Sequence, residues 1–106
     1  MKDSFASFVR DQLEGLGDLR VKRMFGGHGF YLGDRFFGIL MEGRLYFKTN
    51  DQTRLEYVKR GMPPFIYEKA RRTMTITYFE VPPDILEERD ELVRWARQAA
   101  EAARTK

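Results

Sequence analysis

Met24-Phe25-Gly26-Gly27-His28-Gly29-Phe30-Tyr31-Leu32 places three glycines in four positions between apolar residues, with a histidine among them. Glycine reaches φ > 0 without a side-chain clash and lets another backbone come close. Within a strand pattern such a cluster marks a bulge, a bend or a tight turn. The pattern predicts a strand over 19–25 and a corner at the glycines. Beyond the corner, 29–32 either continues that strand or pairs with it.

Downstream, Gly33-Asp34 is a two-residue turn of the kind that joins antiparallel strands. A strand over 35–41, a turn at Glu42-Gly43 and a strand over 44–48 complete a meander. Strand alternation sets Leu45 and Phe47 on one face and Arg44, Tyr46 and Lys48 on the other. The adjacent pair Phe36-Phe37 must send one ring to each side, so one of them leaves the main core. Asn50 or Asp51 caps a short helix running to about Gly61, with Leu55 and Val58 facing inward. Met62-Pro63-Pro64 ends it, because proline lacks an amide donor and restricts the residue before it. A second hairpin is predicted from 65–67 and 73–81, where Met74, Ile76 and Tyr78 alternate with Thr73, Thr75 and Thr77.

At the two ends the period changes to that of a helix. Residues 3–16 place Phe5, Phe8, Val9, Leu13 and Leu16 on one face, with Asp3 or Ser4 as cap and Gly15 and Gly17 as stop. A last helix begins at Asp84 or Asp90 and runs to Ala103, with Leu92, Trp95, Ala96, Ala99 and Ala103 as its inner stripe. The order is α-β-β-β-α-β-β-α. It predicts an α+β fold of two layers, an antiparallel five-stranded sheet with helices on one face.

At 106 residues the chain suits one domain, 1–106, which can bury roughly 60–70% of its unfolded surface without a metal or disulfide staple. It has no cysteine, which excludes disulfides, thiolate catalysis and sulfur-based zinc sites. The N-terminal residues carry no apolar run of signal-peptide or membrane-span length, so a cytoplasmic location is expected. Charge is uneven: 18–72 holds twelve Lys/Arg against six Asp/Glu, and 73–106 holds five against seven. A basic centre attracts nucleic acid or an acidic protein, although no more than two basic residues are adjacent and solvated strand faces look the same.

No catalytic, metal or cofactor site emerges. His28 is the only histidine, and Asp34 near it is already used in a turn. The Gly-Gly-His-Gly run leads into strand-like residues, whereas a phosphate loop leads into a helix N-terminus. Glu87, Glu88, Asp90 and Glu91 suit a helix start, and Ser4 and Ser7 lack a base. Arg20, Lys22, Arg35, Arg44 and Lys48 recur along the meander, interleaved with Tyr31, Phe37 and Tyr46. Basic and aromatic side chains on an open sheet face can hold a nucleic-acid strand by stacking and phosphate contact. The same residues also describe an ordinary polar face. A semi-apolar outer face or a free edge strand predicts a homodimer through that surface.

Met24 to Tyr31, Leu45-Tyr46-Phe47-Lys48, Gly61 with Pro64-Phe65, Tyr78-Phe79-Glu80-Val81-Pro82, and Trp95-Ala96 with the alanine-rich end follow one another over residues 20–103. In this order they resemble the TfoX N-terminal domain family, named for bacterial regulators of competence for DNA uptake. The residues carrying the resemblance are Met24, Phe25, Gly26, Gly27, Gly29, Tyr31, Lys48, Pro64, Tyr78, Pro82 and Trp95. It implies a two-layer α+β domain without known catalytic residues or cofactor, with a fold similar to that of type III secretion chaperones, which bind proteins and often dimerise. Full-length regulators of the family carry a second, C-terminal domain, and the sequence ends at Lys106, so a stand-alone N-terminal-type domain is expected. The function expected is a non-enzymatic cytoplasmic binding module related to regulators of competence and transcription. It would act through contacts with a protein partner such as the transcription machinery, with nucleic-acid binding by the basic face as the alternative and no membrane partner.

Overall fold

The computed structural model describes residues 4–24, 26–65 and 77–104. Its sheet has five antiparallel strands in the order β1-β2-β3-β4-β5. These are β1 (Leu19–Met24), β2 (Gly27–Leu32), β3 (Arg35–Met41), β4 (Arg44–Lys48) and β5 (Tyr78–Glu80). Helix α1 (Ser4–Gln12) and a 3-10 turn (Glu14–Leu16) precede the sheet, and α2 (Thr53–Lys59) lies between β4 and β5. Helices α3 (Pro83–Leu86) and α4 (Arg89–Arg104) follow.

The glycine corner resolves into a hairpin. Residues 27–32 pair back on β1, from Leu19↔Leu32 to Met24↔Gly27. The meander therefore has four strands, and the single bent strand of the sequence pattern is two. Gly26 takes φ +81°, a conformation L side chains resist. Gly27 has a different reason to be glycine: a Cβ there would sit 2.2 Å from the Leu40 carbonyl oxygen of β3. Of the predicted second hairpin, β5 is seen, and Pro64 bridges to Phe79 beside it. Residues 66–76, which include all but Phe65 of the strand expected at 65–67 and the start of that at 73–81, lie outside the described residues.

One irregularity sorts the side chains between the faces. Phe30 pairs with Gly38 and Tyr31 with Phe36, so Phe37 is skipped. Such a bulge shifts the alternation of its strand by one. Phe37 and Leu40 accordingly join the helix-side core, while Phe36, Ile39 and Met41 turn to the outer face. The core holds Phe30, Phe37 and Phe47, all fully buried, with the Phe37 and Phe47 rings edge-on at 5.6 Å. Helix α4 covers it with Leu92, Trp95, Ala96, Ala99 and Ala100, and α1 with Ala6, Val9 and, just past its end, Leu13.

The predicted face of α1 holds for Phe5, Val9, Leu13 and Leu16 but not for Phe8, and that of α2 is rotated. In α1, Phe8 is 39% exposed and stacks on Phe5, while Gln12 is buried and donates its side-chain amide to the Leu86 carbonyl at 3.0 Å. In α2, Leu55 and Val58 are 66% and 56% exposed, and Tyr57 is the buried residue. The reason is the partner: α2 meets the wide indole of Trp95, whose ring centroid lies 5.0 Å from that of Tyr57. The expected cap holds, since Asn50 Oδ1 accepts from the Gln52 and Thr53 amides at 2.9 and 2.8 Å. Among the described residues no helix is long and apolar enough to cross a membrane.

Gly27→Ala is expected to lower the unfolding free energy by about 2 kcal/mol or more, because a backbone carbonyl must move. Gly43→Ala, where φ is +75° but space is open, is expected to cost about 1 kcal/mol. Urea denaturation of the two variants checks the order; equal costs would count against the close approach of β2 to β3.

Candidate functional site

The outer face of the sheet, opposite the helices, carries a row of aromatic rings with a lysine at each end. Leu19 and Val21 pack on the core, so alternation places Arg20 and Lys22 of β1 on the outer face. Lys22 Nζ stands 5.4 Å from the Tyr31 ring centre. Tyr31 and Phe36 are 5.0 Å apart, and Phe36 and Tyr78 are 5.8 Å apart. Lys48 Nζ stands 5.4 Å from the Tyr78 ring and donates to Thr77 Oγ1 at 3.4 Å. An ammonium over an aromatic face is attracted by the ring quadrupole. Gly29 makes room for this row, since a Cβ there would meet Met24 Cε at 2.8 Å and Phe36 Cε1 at 2.9 Å.

Tyr78 and Phe65 close one end. The Tyr78 hydroxyl donates to the Phe36 carbonyl at 3.3 Å. Burial pushes that hydroxyl up to about 12, with Tyr31 adding to the shift. The Phe65 ring lies edge-on to Tyr46 at 4.9 Å. Burial also raises Tyr46, with Glu80 next in effect.

The basic residues singled out from the sequence do not form one free patch. Arg20, Lys22, Arg44 and Lys48 share the outer face, but Arg35 sits opposite Leu32, on the helix side. Arg44 is paired with Glu80 at 3.2 Å, and Arg20 with Asp18 at 3.6 Å. Phe37, expected among them, is buried in the core, and Phe36 takes its place because of the bulge.

Sequence reasoning missed a second feature, a groove of about 450 Å³ between α2 and α4 lined by Thr53, Glu56, Tyr57, Arg60, Arg94 and Trp95, among others. Arg60 donates to Glu56 and Asp84, both at 3.2 Å, and its guanidinium lies 5.3 Å from the Trp95 ring. Arg94 pairs with Glu91 at 2.7 Å, and this hydrogen bond holds the Glu91 carboxyl below its ordinary range. Burial raises the Tyr57 hydroxyl. The signal available was Tyr57 itself, one turn before Arg60 and amphipathic enough to bridge two helices. Among the described residues no three His, Asp or Glu side chains gather as metal ligands. His28 is half-buried on β2, opposite Leu40, and its Nδ1 has no hydrogen-bond partner among the described residues.

Residues 11–103 match the TfoX N-terminal domain. The chain belongs to the TfoX N-terminal domain family. It is 26% identical over 94 residues to Protein Sxy of Escherichia coli (strain K12), an alignment covering 89% of this chain and 45% of Sxy. It is 28% identical over 81 residues to DNA transformation protein TfoX1 of Aliivibrio fischeri (strain ATCC 700601 / ES114), covering 76% of this chain and 37% of that protein. The chain thus spans less than half the length of these TfoX relatives. Of the residues that carried the TfoX resemblance, Tyr31, Lys48 and Tyr78 meet in the outer row, with Met24 packed over Gly29 beside it. Gly26 and Gly27 build the hairpin, Pro64 flanks β5, and Pro82 precedes α3. Trp95 lies in the helical layer, and Phe25 falls outside the described residues.

The raised Tyr78 hydroxyl of this TfoX domain sets an alkaline limit. Between its ordinary value of 10.0 and about 12 the unfolded chain gives up this proton while the folded chain keeps it. Stability is whole below that window and is lost as pH rises through it. Tyr78→Phe is expected to flatten the decline, read as urea midpoints at about pH 9 and about pH 11.5; an unchanged slope would refute the burial of that hydroxyl.

Proposed function

We propose that this TfoX N-terminal domain is a non-enzymatic, cytoplasmic binding module related to regulators of competence and transcription, acting through protein contacts. The observation that carries it is the exposed apolar face of α2, where Leu55 and Val58 stand in water while Tyr57 and Arg60 hold the helix down. Scattered apolar side chains are normal on a surface, but two on one short helix face form an anchor of the kind that protein interfaces bury. The names of the relatives add support: one is called a DNA transformation protein. The partner class is a protein, with the transcription machinery the first to test.

A second reading, nucleic-acid binding by the outer sheet face, draws on the row Lys22, Tyr31, Phe36, Tyr78 and Lys48. Its rings are engaged by one another and by the lysines, so a base would have to displace them to stack. Fluorescence anisotropy with single- and double-stranded DNA at low and physiological salt separates the readings, because phosphate contacts weaken steeply with salt.

Leu55→Asp with Val58→Asp is expected to change stability by no more than about 0.5 kcal/mol, since both side chains are exposed. The same double variant is expected to lose the protein that the wild-type chain retains in a pull-down from its native cell. Retention of that protein by the variant would remove α2 as the contact surface.

A further inference from the structure

We infer that the free edge of β1 takes an extended acidic segment of a protein partner as an added strand, a surface distinct from α2 that rests on the same protein-contact reading. The sheet order leaves β1 and β5 outermost. Beyond β5 the chain covers its own edge: the Phe65 amide donates to the Tyr78 carbonyl at 2.8 Å and the Glu80 amide to the Pro63 carbonyl at 3.0 Å. Among the described residues nothing pairs with the outer side of β1.

The backbone groups offered there follow from alternation. The Gly33 amide donates to the Asp18 carbonyl at 3.0 Å, just before β1 begins. In an antiparallel pair every second residue bonds to the neighbour, so Arg20, Lys22 and Met24 turn their backbone toward β2. Val21 and Arg23 turn N–H and C=O outward. The Leu19 amide is already used, donating to the Gly17 carbonyl at 2.8 Å.

Edges are commonly blunted by a bulge, a proline, shortness or charge. The pairing of β1 with β2 runs unbroken over six residue pairs, without bulge or proline, and the irregularity falls between β2 and β3 instead. What remains is mainly positive charge: Arg20, Lys22 and Arg23 are all exposed, and among the described residues the carboxylate paired with them is Asp18, on Arg20. That choice discriminates. A second copy of β1 laid alongside would set like charges across the new seam, which destabilises a strand pair. A strand with Asp or Glu opposite Arg20 and Lys22 is attracted, and an apolar residue between them falls beside the half-buried Val21. The partner segment therefore alternates acidic and apolar residues.

The test uses the full chain and a labelled peptide alternating Glu and Val over the length of β1. Fluorescence anisotropy is expected to show saturable binding, weakened at least about tenfold by Arg20→Glu with Lys22→Glu, both exposed enough to leave the fold intact. N-methylation of alternate peptide amides is expected to weaken it by about as much, because it removes ladder donors. Hydrogen exchange at the Val21 and Arg23 amides is expected to slow on binding. Binding indifferent to N-methylation, or matched by a control peptide of the same length alternating Lys and Val, overturns the proposal, as does preference for oligothymidine over the Glu-Val peptide. A mass doubled in light scattering and restored to 12.6 kDa by the charge reversal would also overturn it, by making β1 a self-pairing edge. No peptide binding while Leu55→Asp with Val58→Asp still abolishes partner capture defeats the β1 inference alone. Peptide binding with capture unaffected by the α2 variant defeats the α2 surface alone.

Discussion

Phe30 pairs with Gly38 and Tyr31 with Phe36, so β3 carries Phe37 as an extra residue, and the two layers of this domain follow from that one skip. With strict alternation, Phe37, Ile39 and Met41 would share a face. The bulge instead sends Phe37 and Leu40 to the helices and Phe36, Ile39 and Met41 outward. Each fully buried aromatic side chain contributes about 1.5–3 kcal/mol, so the placement of Phe37 beneath α4 is among the larger single terms in the core. Its consequence on the other side is Phe36, which joins Tyr31 to Tyr78 and makes the outer row continuous.

Glycines set how closely the strands of this sheet can stack. Gly27 lets the Leu40 carbonyl approach, and Gly29 leaves the space that Met24 and Phe36 fill. On the helix side the same economy of volume comes from alanine, with Ala96, Ala99 and Ala100 letting α4 lie close over β3 and β4. Helix α2 is held differently. One buried ring, Tyr57 on Trp95, and an arginine shared by Glu56 and Asp84 fasten it. Exposed ion pairs of this kind contribute little, so the ring is the anchor and the rest of α2 is free to face outward.

Two surfaces of unlike chemistry result. The α2 face is apolar and small, whereas the β1 edge is hydrogen-bonding and basic. They arise from separate constraints, a short helix with one inward residue and a sheet with one edge that is uncovered among the described residues. Under the proposed protein-contact reading, the two surfaces would hold a partner at two points. The groove between α2 and α4 has its arginines already satisfied by the chain's own carboxylates.

The sequence by itself determined the α+β class, the antiparallel meander, the family and the inner stripe of α4, because these rest on local periodicity, turn chemistry and motif order. It also marked the glycine cluster as a bulge, bend or tight turn, where Gly26 takes φ > 0, and it required one ring of Phe36-Phe37 outside the core. Only the tertiary structure decided that residues 27–32 fold back on β1, since a glycine cluster serves a bend and a hairpin equally. It likewise decided that Phe37 is the inward ring, because a bulge is a mismatch between two strands and neither strand shows it alone. The face of α2 belongs to the same class. Leu55 and Val58 are more apolar than Tyr57, yet the helix turned Tyr57 toward Trp95, where the two rings meet edge-on at 5.0 Å. The grouping of Tyr31, Lys48 and Tyr78 into one row came from pairing across strands distant in sequence, which side-chain spacing along the chain does not encode.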